Sequence, residues 1–483
     1  MKKRKKFYIT TAIDYTNAPP HIGHAYEKIC ADIIARWHLL LGEDVFFLTG
    51  TDEHGQKIER AAKEAGMSPK EFVDKLAKQF QQMNDKLNIS YSKFIRTTSP
   101  THEKFCKKIF EKVYKNKKIY KGHYEGYYCT GCEAFKTKRE LVEGKCVIHK
   151  KQAEWLSEES YFFKMGEYQK QIISYIKKNK QFIFPFHFRE EILNRLKEPL
   201  HDLSVSRTSF KWGVPLPIDK GHIIYVWFDA LLNYLSGIEG KENYWPADLH
   251  VIGPDILWFH AVIWQAILLS LGKKLPKRIL VHGWLTIDGE KISKSLGNVI
   301  DPIYLINKYG ADSLRYFLAR HIPLGSDGDF SEKLLAERHN SELADKLGNL
   351  VSRVTTLAEK YGLEKCENNL LKKLKLKEIN RHMSNFELDK ALLNIFDFVD
   401  VCNSYIQEKQ PWKTRDKKVL YELVDSIKAL AILLWPFIPS TAEKIAALLD
   451  FEITLKELRK PLKLVKIKKA EPLFKKIENT REK

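Results

Sequence analysis

The chain has 483 residues, a formal net charge of +20, and a composition with 44% hydrophobic and 29% charged residues. This composition is typical of a soluble globular protein of about three or four domains. It excludes a membrane-spanning protein, because the longest apolar runs are shorter than the ~20 residues that cross a bilayer. The positive charge is compatible with a polyanionic partner and, equally, with a well-solvated basic surface.

The N-terminal MKKRKK is not followed by the apolar core of a signal peptide, because Asp14, Asn17 and Pro19 interrupt that stretch. Seven cysteines are present, and three of them share one short segment. This distribution favours a metal site in a reducing compartment over a disulfide framework. We therefore expect a cytoplasmic protein that does not contact a membrane.

The first predicted elements form a strand–helix–strand unit. Phe7–Ala12 is rich in β-forming residues and predicts a strand. Apolar residues recur at helical spacing from Ile29 to Leu41, with Gly42 as the predicted C-cap, and Val45–Leu48 predicts the next strand. A unit of this kind is typical of a parallel sheet.

A second unit with the same rhythm follows later in the chain. We predict strands at Ile223–Phe228, His250–Ile252 and Arg278–Val281, with a helix at Ile256–Leu271. A stretch that contains the cysteines separates the two units. The sequence therefore predicts one Rossmann-like parallel-sheet domain that is split by an insertion.

The last third of the chain is almost wholly helical in pattern from Glu332 onward. Leucine and valine residues form an apolar stripe from Leu343 to Tyr361. Further helices are predicted around Asn385–Glu408 and Lys417–Trp435, so this part is expected to form a helix bundle.

One candidate phosphate-binding motif lies between the first strand and its helix, in the order His21-Ile22-Gly23-His24. A helix N-terminus presents unpaired N–H groups and attracts anions. Gly23 leaves room for a nucleotide beside the backbone, and the two histidines can donate hydrogen bonds to phosphate oxygens. Taken alone, a His-x-Gly-His is more often an ordinary loop sequence.

A second candidate is Lys291-Ile292-Ser293-Lys294-Ser295, which follows Asp288-Gly289 in a predicted turn. Two lysines on such a loop can neutralise the charge that develops in nucleotidyl transfer. Taken alone, this loop is more often a solvated basic segment. The two motifs occur in order, one in each half of the split domain, and this pair resembles the HIGH and KMSKS signatures of class I aminoacyl-tRNA synthetases.

The insertion contains Cys129 and Cys132, then Cys146 and His149, as two pairs with the spacing Cys-x-x-Cys and Cys-x-x-His. Three thiolates and one imidazole form a closed tetrahedral set, which is typical of structural zinc. We therefore expect one structural Zn²⁺ per chain.

Over nearly its whole length, the chain resembles the methionyl-tRNA synthetase family. The resemblance lies in Thr11–Tyr15, Thr51–Gly55, Val226–Ala230, Gly253–Ile256 and Trp258–His260, together with the zinc insertion. After the lysine loop, Asp301-Pro302, Tyr309–Asp312 and Arg315-Tyr316 are similar to the family's link between its catalytic and anticodon domains.

The resemblance implies several binding residues. Asp52 matches the family residue that holds the α-amino group of methionine, while Gly253 and Asp255 match positions at the adenosine ribose. A thioether packs well against aromatic edges. The positions that match the methionine side-chain pocket are Ile13, Tyr15, Trp227, Ala230, Tyr234, Phe259 and His260.

The resemblance also implies an anticodon site in the helical part. Asn349 and Arg353 are spaced i, i+4, and we expect them to face outward together. Pro411-Trp412 follows between two helices, where an exposed Trp can stack on an unpaired base. Family members read the CAU anticodon with matching Asn, Arg and Trp positions. The alternative is a surface Asn/Arg pair with a Trp that only packs.

The predicted fold is an α/β catalytic domain with a zinc-binding insertion, followed by an all-α anticodon-binding domain. The expected divisions are 1–115 and 209–285 for the catalytic halves, 116–208 for the insertion, 286–335 for the linking region with the lysine loop, and 336–483 for the helical domain.

The predicted activity is methionine–tRNA ligation. Methionine reacts with Mg²⁺-ATP to give methionyl-adenylate, and the product is transferred to initiator and elongator tRNA-Met, with His21, His24, Lys291 and Lys294 as the catalytic residues. A synthetase for Leu, Ile or Val is one alternative, but the short insertion leaves no room for an editing domain. An inactive RNA-binding paralogue is another, against which the four catalytic residues argue. The sequence ends soon after Glu471–Phe474, without a further tRNA-binding domain, and a monomer is expected.

Overall fold

The computed structural model describes residues 4–477, except 130–133, 137–140, 149, 288, 292–298 and 464–466. The first part of the chain forms β1 (Lys6–Thr11), β2 (Asp14–Tyr15), α1 (Ile22–Leu40), β3 (Asp44–Asp52), α2 (Gln56–Glu64), α3 (Pro69–Lys86), β4 (Lys93–Arg96) and α4 (Pro100–Lys115). β1 lies parallel to β3, with Phe7 opposite Val45. The predicted first strand–helix–strand unit is therefore present, and Gly42 follows α1 with a φ of 79°.

The next segment comprises β5 (Ile119–Cys129), β6 (Ala134–Lys136), β7 (Leu141–Val142), β8 (Lys145–Cys146), β9 (Glu154–Phe163), α5 (Gln169–Lys178), β10 (Ile183–Phe184), α6 (Phe186–Arg195), β11 (Leu203–Ser204) and β12 (Ser206–Arg207). β5 and β9 form a long antiparallel pair in a separate sheet, with β6 and β11 at its edges. β10 instead joins the main sheet beside the later strands.

The chain then returns to the main sheet through β13 (Ile223–Ile224), α7 (Val226–Leu231), α8 (Asn233–Ser236), β14 (Leu249–Ile252), α9 (Trp264–Ser270), β15 (Ile279–Val281), β16 (Leu285–Ile287) and β17 (Glu290–Lys291). The main sheet has the order β10-β15-β14-β1-β3-β2, with β4 also paired to β3. All of its pairings are parallel. This is the arrangement of a doubly wound sheet, whose two halves come from the two predicted units.

One sequence-based expectation in this region is wrong, and a second is confirmed with a change in helix type. The predicted strand Ile223–Phe228 is a strand only to Ile224, and helix α7 begins at Val226. A short apolar run fits either structure, and Asp229 in the first turn favours the helix because it complements the helix dipole. The predicted helix Ile256–Leu271 is present as one continuous helical stretch, which begins with a 3₁₀ turn at Pro254–Ile256 and includes a π-helical segment at Phe259–Ile263 before α9.

The last part of the chain is helical, as predicted. It contains α10 (Pro302–Tyr309), α11 (Ala311–His321), β18 (Gly328–Phe330), α12 (Glu332–Arg338), a π-helical segment at His339–Gly348, α13 (Asn349–Tyr361), α14 (Leu376–Ser384), α15 (Leu388–Lys409), α16 (Pro411–Thr414), α17 (Lys417–Leu434) and α18 (Pro439–Leu449). The predicted stripe is buried at Leu343, Leu347, Leu350, Val351 and Val354. One apolar cluster runs from α1 through α11 into these helices. No helix in the described part of the chain is both long enough and apolar enough to cross a membrane.

Candidate active site

The carboxyl ends of the central strands open onto one cavity of about 1100 Å³. The order of the strands reverses between β14 and β1, and ligands of doubly wound sheets bind at such a switch point. Segments that follow β1, β3, β14 and β15 supply the walls of the cavity. The strand order therefore explains why residues more than 200 positions apart meet in one site.

The cavity brings together most of the residues that the sequence singles out. Its lining includes Ile13, Tyr15, His21, Gly23, His24, Asp52, Trp227, Ala230, Tyr234, Gly253, Asp255, Phe259 and His260. The predicted methionine pocket and the predicted adenosine positions are thus two parts of the same space.

The two histidines of the first motif are oriented by the backbone at the start of α1. His21 Nδ1 accepts a hydrogen bond from the N–H of Gly23 at 3.1 Å, and His24 Nδ1 accepts one from the N–H of His21, also at 3.1 Å. Because both Nδ1 atoms accept, each neutral ring carries its proton on Nε2. Burial, together with the neighbouring His21, holds the pKa of His24 well below its usual value. Both rings are therefore suited to donate from Nε2 to an anion.

Gly23 is required for this arrangement. A Cβ atom at this position would lie 2.9 Å from Cε1 of His21. A side chain here would displace the imidazole, which is a second reason for glycine beyond the room for a nucleotide predicted from the sequence.

The second motif reaches the same place through its backbone. Lys291 ends β17 and is paired with Thr286 of β16, which follows the cavity-lining segment His282–Leu285. Where the chain is described again, the carbonyl of Ile300 accepts a hydrogen bond from the N–H of Ile22 at 3.1 Å. Lys294 and the side chain of Lys291 lie outside the described part of the chain. The C-terminal end of the lysine loop therefore lies beside the first motif, and its N-terminal end continues from the segment that lines the cavity.

Aromatic side chains form the wall of the predicted methionine pocket. The rings of Trp227 and Phe259 are stacked, with centroids 3.7 Å apart. Tyr234 donates from its hydroxyl to Nε2 of His260 at 2.7 Å, and Nδ1 of the same imidazole donates to the carbonyl of Ile256 at 2.9 Å. Burial lowers the pKa of His260 to about 4. The ring is therefore neutral at pH 7 and can present no positive charge to a bound ammonium group.

A buried polar network joins the Asp52 segment to the helix that carries Trp227 and Ala230. His54 Nδ1 lies 2.7 Å from Asp229 Oδ2, and His102 Nε2 lies 2.8 Å from Asp229 Oδ1. Asp229 has a pKa well below its usual value. Burial would raise that pKa, but the opposing charge of His54 and the hydrogen bonds from both histidines lower it by more than burial raises it. The network fixes the distance between the candidate carboxylate and the aromatic wall.

A second network lines the cavity, and sequence reasoning missed it. Lys28 is fully buried, and its ammonium donates to Asp14 Oδ1 at 2.9 Å, to Glu27 Oε1 at 2.7 Å and to the carbonyl of Ala12 at 3.0 Å. Burial raises the pKa of Asp14 to about 7. Burial would also raise the pKa of Glu27, but Lys28 and His282 lower it by more, so this pKa lies below its usual value. The sequence does contain a signal for this network, because Glu27 and Lys28 are charged residues within the otherwise apolar helix α1.

The insertion places two of the four predicted zinc ligands in neighbouring hairpins. Cys129 ends β5 and Cys146 ends β8, and both side chains are buried. Cys132 and His149 lie outside the described residues. Lys136 and Ile148 from the same insertion line the cavity. In the described part of the chain, His102, Cys106 and Asp229 also cluster closely enough to share an ion. These three side chains are already hydrogen-bonded to one another. His102 Nε2 lies 2.8 Å from Asp229 Oδ1, and Cys106 Sγ lies 3.2 Å from each of these two atoms.

The predicted anticodon residues lie on one face of the helical domain. Arg353 on α13 lies over the ring of Trp412, with 5.4 Å between its guanidinium carbon and the ring centroid. Asn349 is exposed, whereas Pro411 is buried. Trp412 is half-buried rather than exposed, because it packs against the core of the helix bundle. The arrangement leaves part of the indole and the amide of Asn349 open to solvent.

Comparisons with known families agree with this architecture. A family model described as "tRNA synthetases class I (M)" matches residues 7–147 and 137–355. A second model, "Anticodon-binding domain of tRNA ligase", matches residues 371–483. The fold and the site therefore define a class I aminoacyl-tRNA synthetase, with a parallel-sheet catalytic domain and a helical anticodon-binding domain.

Individual relatives define the family more narrowly. The methionine–tRNA ligase of Caldanaerobacter subterraneus is 44% identical over 91% of this chain and 73% of the relative. That of Thermotoga maritima is 42% identical over 98% of this chain and 80% of the relative. The structure of Mycobacterium tuberculosis methionyl-tRNA synthetase in complex with methionyl-adenylate superposes with a TM-score of 0.93, at 37% identity over 97% of this chain and 99% of that one. The chain belongs to the methionyl-tRNA synthetase family.

Proposed function

We propose that this chain activates L-methionine with ATP to form methionyl-adenylate and then transfers methionine to the 3′-terminal adenosine of tRNA-Met. The observation that carries this function is the single cavity in which a stacked aromatic wall lies beside two histidines that present Nε2–H donors. This combination suits a thioether next to a phosphate chain.

Methionine binding is assigned to the half of the cavity that is lined by the end of β3 and by α7. The stacked pair Trp227 and Phe259, with Tyr234 and His260, surrounds the thioether, while Asp52 accepts from the α-ammonium group. Ile13, Tyr15 and Ala230 complete the pocket. A neutral His260 is compatible with the uncharged side chain of methionine and does not repel the ammonium group.

ATP binding is assigned to the start of α1 and the loops after β14 and β15. Gly253 and Asp255 hold the ribose, and Gly23 lets the chain approach the nucleotide. The methionine carboxylate attacks the α-phosphorus, a new P–O bond forms, and the bond to pyrophosphate breaks. His21 and His24 donate to the phosphate oxygens, and Lys291 and Lys294 neutralise the charge on the departing pyrophosphate. Mg²⁺ bound to ATP supplies further neutralisation.

Transfer to tRNA requires the helical domain. A ribose hydroxyl of the terminal adenosine attacks the carbonyl of the adenylate, and AMP leaves. Asn349, Arg353 and Trp412 contact the anticodon of initiator and elongator tRNA-Met, with Pro411 holding the indole in place. The exposed amide and the partly open indole support this assignment, since both can contact an unpaired base.

Structural zinc is assigned to Cys129, Cys132, Cys146 and His149. The two buried thiols at the ends of neighbouring hairpins support it, because a small loop-rich insertion lacks a large core of its own. The expected divisions into 1–115, 116–208, 209–285, 286–335 and 336–483 are proposed as the domain limits, although β10 within 116–208 belongs to the catalytic sheet. The chain is proposed to act as a monomer.

Methionine-dependent ATP–pyrophosphate exchange tests the assigned reaction. Wild-type protein should catalyse exchange with methionine and not with leucine, isoleucine or valine. Lys294→Ala should lower the exchange rate about 100-fold or more while the Kd for methionine changes little, because the lysine acts on the phosphates. Unchanged exchange in this variant would reject the role of the lysine loop, and exchange with another amino acid would reject the specificity.

A further inference from the structure

A fully buried arginine lies where the catalytic domain meets the helical domain. Arg315 on α11 is paired with Asp32 on α1, with 2.7 Å between Nη2 and Oδ2, and neither side chain has exposed surface. α1 is the helix that begins with the phosphate-binding histidines. The pair therefore ties the linking helix α11 directly to the catalytic motif.

The remaining donors of Arg315 bind backbone carbonyls in two other segments. Nη2 donates to Pro436 at 2.7 Å and Nε to Phe437 at 2.9 Å, in the turn between α17 and α18. Nη1 donates to Leu87 at 3.1 Å, directly after α3. A guanidinium presents five donors in a rigid planar fork, which suits several acceptors at fixed directions. One side chain thus holds catalytic and helical segments in a fixed relation.

The contacts around this pair reinforce the same junction. Asp32 also accepts from Arg36 Nε at 2.8 Å and from Ser90 N at 2.7 Å. Asp312, one turn before Arg315, accepts from the backbone N–H and the hydroxyl of Thr441 at 2.6 Å and 2.7 Å, close to the start of α18. α11 therefore reaches α18 through a second buried contact, independent of the arginine.

Two long helices converge on this junction from the two functional sites. Asp32 lies three turns along α1 from its start beside His21, which is about 15 Å at 1.5 Å per residue. α17 begins just after the segment that carries Trp412 and ends just before Pro436, a length of about 27 Å. Each helix holds its residues at a fixed spacing, so the geometry of this junction determines how the two sites are oriented relative to each other.

We propose that the Asp32–Arg315 pair is a positioning joint that sets the orientation of the helical domain relative to α1, so that a tRNA held at the anticodon face delivers its acceptor end to the adenylate. The pair does not contact substrate. Its effect is on transfer to tRNA and not on adenylate formation, which needs no tRNA. This inference rests on the proposed methionine–tRNA ligase function.

The test compares two activities of the same preparation of the full chain: methionine-dependent pyrophosphate exchange and aminoacylation of tRNA-Met transcript. Arg315→Lys keeps the charge but loses the planar fork, and it should lower the ratio of aminoacylation kcat/KM to exchange rate at least tenfold. Thr441→Val removes only a hydroxyl at the second contact, and it should lower the ratio about threefold. Because both activities scale with the folded fraction, the ratio is insensitive to partial unfolding.

Lys428→Met is the matched control. Lys428 on α17 forms a buried pair with Asp425 at 2.7 Å and also donates to the carbonyl of Lys460. Neither partner belongs to the Asp32–Arg315 junction, so the loss of Lys428 weakens the helical domain without removing a junction contact. Its ratio should stay within twofold of wild type. The joint is rejected if Arg315→Lys keeps the wild-type ratio, or if Lys428→Met lowers the ratio as much. Absence of methionine-dependent exchange in the wild type would instead reject the proposed function, whatever the variants do.

Discussion

The candidate residues of the two functional regions are held in different ways. In the catalytic cavity they are buried or half-buried apart from Asp255, and several are tied to one another or to backbone, as with the Tyr234–His260 hydrogen bond of 2.7 Å. On the helical domain, Asn349 is exposed, and one cation–π contact orders Trp412. Chemistry on a phosphate chain requires preorganised donors, whereas a base can complete a site by stacking as it binds. The following variants test this contrast.

The largest expected effect is on stability, at Asp229. Asp229→Asn removes a buried partner of His54 and disturbs the bond to His102, so the free energy of unfolding should fall by about 3–5 kcal/mol. The KM for methionine should also rise, because the pair links the Asp52 segment to α7. Urea unfolding and steady-state exchange measure the two effects.

A surface pair in the helical domain supplies the control for Asp229. Lys346 and Asp400 are 2.8 Å apart with both side chains over 40% exposed. Asp400→Asn should lower the free energy of unfolding by less than about 1 kcal/mol, because exposed ion pairs contribute little to stability. If Asp229→Asn and Asp400→Asn lowered the free energy of unfolding equally, the contrast between a buried catalytic network and a solvated helical surface would be contradicted.

The next largest effect is on catalysis, at His24. His24→Asn keeps an acceptor for the N–H of His21 but loses the Nε2–H donor. The exchange kcat should fall about 100- to 1000-fold, as for the loss of one preorganised donor to a developing charge. The Kd for methionine, measured by fluorescence titration of the tryptophans, should stay within threefold. A variant with near-normal exchange would show that the imidazole only caps α1.

A smaller effect is expected at Trp412. Trp412→Ala should raise the KM for tRNA-Met about tenfold, since stacking on one base contributes about 1–3 kcal/mol. Pyrophosphate exchange should not change, because the site is remote from the cavity. Trp412→Phe retains an aromatic face and should recover most of the affinity. A parallel fall in exchange would mean that Trp412 serves the core of the bundle and not the anticodon.

Sequence patterns predicted the fold and the cavity unevenly, for physical reasons. Strand–helix periodicity located β1, α1 and β3, since each buries a regular apolar face. It failed at Ile223–Phe228, where a short aromatic run fits both a strand and the observed helix. Motifs identified His21 and His24, but they did not predict that each ring carries its proton on Nε2. That tautomer depends on backbone N–H groups in the folded turn. The resemblance drew attention to Arg315, but no local pattern predicts its pairing with Asp32, because the two residues are separated by 283 positions and meet only in the folded chain.

The last effect concerns the pH dependence of stability, through Asp14, and it is small per pH unit but accumulates over the range in which this carboxyl titrates. Its pKa is raised from 3.8 to about 7, because burial outweighs the attraction of Lys28, whose ammonium is shared with Glu27. Between about pH 4 and 7 the folded protein therefore keeps a proton that the unfolded chain releases. The contribution of Asp14 to stability thus falls as pH rises, by at most about 1.4 kcal/mol per pH unit.

Asp14→Asn removes this titration. Urea unfolding at pH 5, 6, 7 and 8 should show the variant gaining stability relative to wild type up to about pH 7, with a constant difference above it. A difference that is constant across the whole range would mean that Asp14 is ionised in the folded protein. Lys28 would then face two carboxylates, Asp14 and Glu27, with a single positive charge, so this wall of the cavity would be more negative than the structure indicates.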